Sequence, residues 1–188
     1  MQTRLVALLG SVLMAVCVTG VAQDAIPGPQ VGDQFAHDLA ALDQHGKQQT
    51  LGALMGEKGA VVFFVRSADW CPYCQRQMAN VNERLAEFTA LGLNVVSVSV
   101  DEVAEIAKFA NEHRVAYTML ADPAGDINKT LGIRDEQYPI GHNAFGVPRP
   151  VLYVIDPNMT VRAVYMEPTY RTRPDLDAVL SEAKALGL

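Results

Sequence analysis

Two cysteines, Cys71 and Cys74, stand where an apolar run gives way to an amphipathic one, and this junction constrains the chain more than any other stretch. The run Ala60-Val61-Val62-Phe63-Phe64-Val65 is β-branched and aromatic, and reads as a buried strand. Beyond the cysteines, Met78, Val81, Leu85 and Phe88 recur at spacings of three and four, which predicts a helix over 75–90 with one apolar face. Trp70-Cys71-Pro72-Tyr73-Cys74 therefore occupies a strand-to-helix turn. Cys71 falls at the helix N-cap and Pro72 at the first helical position, where its missing N–H costs nothing. Cys74 lies on the same side of the first turn, close enough for a disulfide or a mixed-disulfide relay. The free N–H groups and the positive end of the helix favour a thiolate on Cys71. Such surroundings lower a cysteine pKa from about 8.5 into the range ~3.5–7.5.

Other uses of a CxxC pair fit less well. A structural zinc site needs roughly four ligands with a second cluster at short spacing, whereas His37, His45, His113 and His142 are isolated. Gln75 follows Cys74, so the haem-attachment motif is absent. A disulfide closing so small a loop restricts the unfolded chain little. With 49% hydrophobic residues over 188 positions, the chain has core enough to fold without staples. A redox-active pair is the better account, and it calls for no cofactor and no metal. The formal net charge of −6 gives no reason to expect nucleic-acid binding.

Arg4, an apolar run over 5–18 and Gly20-Val21-Ala22 before Gln23 predict a secretory signal peptide over 1–22, leaving one domain over 23–188. The run is short for a membrane span, which needs about 20 residues. A membrane association is expected only if the segment stays uncleaved. Cys17 falls within the leader, and Met14 and Val16 suit a lipidation box poorly. The mature chain then keeps only Cys71 and Cys74 as cysteines.

Residues 38–42 and 47–50 flank a turn and predict a hairpin, and 51–55 a short helical turn. Residues 93–100 predict a second buried strand, parallel to the first because a helix separates them. A helix over 102–113 with Asp101 as cap follows, then a strand over 117–120 and a helix opened by Asp122-Pro123 and ended at Gly132. A long loop over 134–150 leads to a strand over 151–155, a turn at Asp156-Pro157-Asn158, its antiparallel partner over 161–166, and a closing helix over 174–186. The order gives an α/β fold with a central sheet flanked by helices on both faces.

Trp-Cys-x-x-Cys at a strand-to-helix junction, with Pro150 just before a later strand, resembles the thioredoxin superfamily. Asp122-Pro123-Ala124-Gly125, Leu131-Gly132-Ile133 and Val151-Leu152-Tyr153-Val154-Ile155-Asp156 resemble its redoxin branch, the alkyl hydroperoxide reductase/thiol-specific antioxidant (AhpC/TSA) family with its peroxiredoxin-like members. The resemblance implies a thioredoxin-like fold, a mixed sheet with an N-terminal hairpin extension and an inserted helix. It implies Cys71 as attacking thiolate, Cys74 as resolving thiol, and Pro150 as a cis-proline facing the disulfide. It also implies contact with the partner through Trp70 lying over the site, Pro72, an exposed Tyr73 and the backbone of Arg149, whose guanidinium would favour the thiolate.

Two departures bear on the reaction. A peroxiredoxin places Pro-x-x-x-Thr/Ser-x-x-Cys around its reactive cysteine. In that register the cysteine is Cys74, Cys71 takes the hydroxyl position, Ser67 the proline position, and the family's arginine aligns with Pro150. The buried aspartate of thioredoxins corresponds to Val65, leaving Asp69 and Glu83 as proton acceptors by sequence proximity alone. The leading expectation is an exported, periplasmic thiol–disulfide oxidoreductase of a Gram-negative envelope. It would exchange electrons between a protein disulfide or dithiol and a second thiol protein. The alternatives are a peroxiredoxin-like thiol peroxidase, and a copper carrier using both cysteines and His142.

Overall fold

The computed structural model describes residues 26–187; the leader read over 1–22, with Cys17, lies outside them. The strands are β1 (Ala40–Asp43), β2 (Gln48–Thr50), β3 (Gly59–Phe64), β4 (Leu93–Ser99), β5 (Thr118–Ala121), β6 (Val151–Ile155) and β7 (Val161–Met166). The helices are α1 (Pro72–Glu83), α2 (Leu85–Ala90), α3 (Val103–His113), α4 (Asp126–Thr130) and α5 (Leu176–Ala185), with a short 3-10 turn at Gly52–Leu54. They build one seven-stranded sheet in the order β2-β1-β5-β4-β3-β6-β7. The expected parallel pairing of β3 with β4 is present, and β5 continues it on the far side of β4. β6 and β7 run antiparallel beside β3, and the β1–β2 hairpin extends the other edge through β5.

The central strands are apolar on both faces because both faces are covered. Val61, Phe63 and Val65 pack beneath α1, α2, α3 and α5 with Met78, Phe88, Ile106, Phe109 and Val179. Ala60, Val62 and Phe64 point the other way, against Phe35, Leu51, Ile127, Ile133 and Tyr153. Helices therefore lie on both faces, four on one and the short α4 on the other. Gly59 opens β3 with φ +118, and a Cβ there would lie 1.9 Å from the Ile155 carbonyl oxygen, so only glycine lets the start of β3 lie against the end of β6.

Three local expectations change. The helix expected over 75–90 breaks into α1 and α2 at Arg84 (φ −103, ψ 10), whose guanidinium bridges Glu87 at 2.7 Å and Asp177 of α5 at 2.6 Å. Asp101 does not cap α3. Glu102 does, in a capping box with Glu105, because the Asp101 carboxylate is drawn into the turn before the cysteines. The helix after Asp122-Pro123 is shorter than expected. Asp122 still serves it, accepting the backbone N–H of Asp126, Ile127 and Asn128 at 2.9, 3.2 and 3.2 Å. Burial pushes the Asp122 carboxyl up to about 6, against those hydrogen bonds.

Candidate active site

The turn from β3 into α1 is built by Ser67 and Asp101. Ser67 Oγ donates to Asp101 Oδ1 at 2.5 Å and accepts the N–H groups of Asp69 and Trp70 at 2.9 and 3.1 Å. The second oxygen of Asp101 accepts from Ala68 N at 2.5 Å and from Ser99 Oγ at 2.6 Å. Gln75 Nε2 ties the other side by donating to the carbonyls of Ala68 and Asp69, both at 2.8 Å. A serine thus shapes the turn at the position where the peroxiredoxin pattern has proline, by a side-chain-to-backbone turn rather than by a fixed φ.

Cys71 is the N-cap of α1 and Pro72 its first residue, as the sequence predicts. Cys71 and Cys74 form a disulfide with Cα atoms 5.2 Å apart. Both are buried within the core beneath β3. Cys71 Sγ accepts the N–H of Cys74 at 3.3 Å. Cys74 Sγ accepts from Arg173 Nη2 at 3.2 Å. Burial, then repulsion from Arg66 and Arg76, pulls the Arg173 guanidinium down to about 10.

The remaining expected residues divide. Trp70 is 43% exposed beside the pair, as expected. Tyr73 is not freely exposed: it is half-buried between Tyr170, edge-on at 6.0 Å, and Arg76, 4.8 Å from its ring centre. Among the described residues no peptide bond is cis, so Pro150 follows a trans bond, which corrects the expectation. Its neighbour Arg149 donates its N–H to the Ile133 carbonyl at 2.8 Å, which folds the 134–150 loop back onto the sheet and sets Pro150 immediately before β6, as an ordinary proline at the entry to a strand. Arg149 and Pro150 line a groove of about 410 Å³ with Tyr138, Glu167 and Tyr170. The guanidinium on sulfur belongs to Arg173 and not to Arg149. Neither Asp69 nor Glu83 hydrogen-bonds a cysteine, and Glu83 ends α1, some 13 Å of helix from Cys74 by the ~1.5 Å rise per residue. Among the described residues no three His, Cys, Asp or Glu side chains gather as a metal site. His142 Nδ1 is occupied in accepting the Ala144 N–H at 3.0 Å.

Arg66, Tyr170 and Arg173 complete the surroundings, and the sequence reading missed all three. Arg66 is 8% exposed and lies 4.4 Å from the Tyr170 ring centre, 5.1 Å from Trp70 and 5.3 Å from Tyr138, an aromatic cage for a cation. Its Nη2 donates to Tyr138 Oη at 3.3 Å. A hydrogen bond from Arg171, with the charge of Arg66 behind it, lowers the Tyr170 hydroxyl below its ordinary pKa. The available signal was Tyr170-Arg171-Thr172-Arg173, a basic run in a chain of net charge −6.

The arrangement suits two-electron sulfur chemistry: a helix N-terminus, a CxxC cysteine pair and a half-buried cation on one sulfur. The AhpC/TSA family profile matches residues 31–164. Peroxiredoxin Q, chloroplastic, from Arabidopsis thaliana is 27% identical over 153 residues, 81% of this chain, and the aligned stretch spans 66% of that protein, just under two thirds. Peroxiredoxin Bcp from Escherichia coli strain K12 is 24% identical over 156 residues, covering 83% of this chain and 97% of that one. The crystal structure of peroxidoxin BcpB from Mycobacterium tuberculosis superposes with a TM-score of 0.71 at 26% identity, over 83% of this chain and 97% of that chain. Fold, cysteine geometry and relatives agree: the chain belongs to the AhpC/TSA family, in its peroxiredoxin-like branch.

Proposed function

We propose that the protein is a two-cysteine thiol peroxidase that reduces hydroperoxides through Cys74, with Cys71 as resolving thiol. This reverses the roles first expected, and the relatives favour it over thiol–disulfide exchange as the main activity. The observation that carries it is the Arg173 guanidinium on Cys74 Sγ. A cation on the sulfur that stands in the register of the peroxiredoxin cysteine favours its thiolate, as an arginine aligned with Pro150 would in the common pattern. The thiolate attacks the distal peroxide oxygen, the O–O bond breaks, and an alkoxide leaves and takes up a proton. Cys74 becomes a sulfenic acid. Cys71 then attacks that sulfur, water departs, and the disulfide seen in the structure results. A thiol reductant returns the pair to the dithiol.

A second reading, thiol–disulfide exchange with protein disulfides, draws on Cys71 at the N-cap in place of the threonine or serine that would help polarise a peroxide. Stopped-flow fluorescence of Trp70, the only tryptophan, separates the two. Reduced protein is mixed with hydrogen peroxide or with a protein disulfide. The peroxidase reading expects a fast peroxide phase that is lost in Cys74→Ser and kept in Cys71→Ser. A fast phase with the disulfide alone, lost in Cys71→Ser, would overturn it. Export to the periplasm is part of the proposal and rests on the leader read over 1–22. Amino-terminal sequencing of the cell-envelope fraction tests it, with Gln23 expected as the first residue.

A further inference from the structure

A second groove, of about 210 Å³, lies against the first turns of α1, on the Cys74 side. Tyr73, Arg76 and Asn80 form one wall and Arg171, Arg173 and Leu176 the other. No carboxylate lines it. Among the described residues, the ion pairs use Arg84, Arg134 and Arg162, so the three groove arginines and Arg66 have no acidic partner. The Nε atoms of Arg66 and Arg173 are buried without a hydrogen-bond partner. Arg66 and Arg76 thus repel Arg173, which touches Cys74, and Arg171 lines the same groove, in a chain that carries 21 acidic against 15 basic residues. Like charges held together raise each other's free energy, and an incoming anion relieves it.

We infer that this groove binds the carboxylate of a small anionic thiol, the reductant that reopens the disulfide. Three features select that ligand. The cysteines are placed to pair as a disulfide, and a disulfide is opened by attack of a thiolate. Forked guanidinium groups match a carboxylate, while Tyr73 and Leu176 cover an apolar stem. The groove, of about 210 Å³, has room for a thiol acid with a short stem. The thiolate attacks Cys74 Sγ from the groove side, the Cys71–Cys74 bond breaks, and its electron pair leaves on Cys71 at the N-terminus of α1, where the Cys74 N–H already donates to that sulfur. A second thiolate attacks the external sulfur of the mixed disulfide and releases Cys74. Two thiols are oxidised to one disulfide, and the protein gains two electrons and takes up protons from solvent.

The test mixes oxidised protein with N-acetylcysteine or with its uncharged amide and follows Trp70 emission, with rates expressed per thiolate. The acid is expected to saturate and to react at least tenfold faster at low concentration. In Arg76→Gln and Arg171→Gln, both at exposed positions, that preference is expected to fall severalfold, and Arg76→Lys to restore it. Raising the salt from 0.05 to 0.5 M is expected to shrink it as well. Equal rates for the two thiols in the unaltered protein would overturn the inference. So would a preference that survives both glutamine variants, or an acidic thiol peptide that outpaces N-acetylcysteine. The assay starts from the disulfide, so its outcome is independent of whether peroxide formed that disulfide.

Discussion

A guanidinium at residue 173 touches a sulfur at residue 74, and the proposed peroxidase chemistry draws on that contact. Removing the cation while keeping the shape, as in Arg173→Gln, is expected to raise the pH midpoint of Cys74 alkylation in the reduced protein by roughly one pH unit, a cost of about 1.4 kcal/mol. Arg173→Lys is expected to keep most of the effect. Iodoacetamide alkylation rates against pH in a Cys71→Ser background measure it, and an unchanged midpoint would remove Arg173 from the mechanism. Asp101 has a different kind of importance. It satisfies two hydroxyls and one backbone N–H while 2% exposed, and Asp101→Ala strands all three donors. The expected loss is about 3 kcal/mol, read as a lowered urea midpoint with an unchanged slope. The cysteines, Pro72 and Trp70 were legible because their meaning is local to a strand-to-helix turn. Asp101 next to a helix start reads as a cap in sequence. Besides nearby Ser99, its partners Ser67 and Ala68 lie more than thirty residues back, and no spacing rule points to them.

At the scale of elements, chemistry decides where each piece begins. β6 and β7 match the sequence expectation residue for residue, since a continuous apolar run meets a tight turn in which Asp156 accepts the N–H groups of Asn158 and Thr160. The α1–α2 break was illegible because Arg84 finds Asp177 across the fold. Gly59→Ala is expected to cost at least ~2 kcal/mol, since its Cβ would drive into the Ile155 carbonyl and its φ is left-handed. Thermal unfolding reads it. Asp122 gives a pH signature. Its carboxyl titrates at about 6 when folded, against 3.8 as the ordinary value, so the folded state holds the extra proton between them. Its contribution to stability is therefore greatest at low pH and declines as pH rises from about 4 to 6. In Asp122→Asn, which keeps one acceptor for α4, that decline is expected to vanish. The variant's stability relative to the original protein should then climb over the same interval in urea titrations.

For the whole molecule, the architecture was legible because apolar strands alternate with amphipathic helices, and that order leaves few ways to form a sheet. The charge arrangement was not, since it depends on where a tail lands. The family match ends at residue 164, yet Tyr170, Arg171 and Arg173 all lie beyond it. That tail is held by α5, whose Val179 and Ala183 are fully buried against the core. Val179→Ala is expected to cost about 2 kcal/mol. It should also slow the sulfur chemistry by loosening Arg173, which alkylation of Cys74 would report.

The separation of 99 positions between Cys74 and Arg173 also sets an order of events during synthesis. The cysteines leave the ribosome long before the arginine that comes to rest on one of them. The turn of α1 that Cys71 caps is complete in sequence early, but the cation reaches Cys74 only when the segment leading into α5 docks on the sheet.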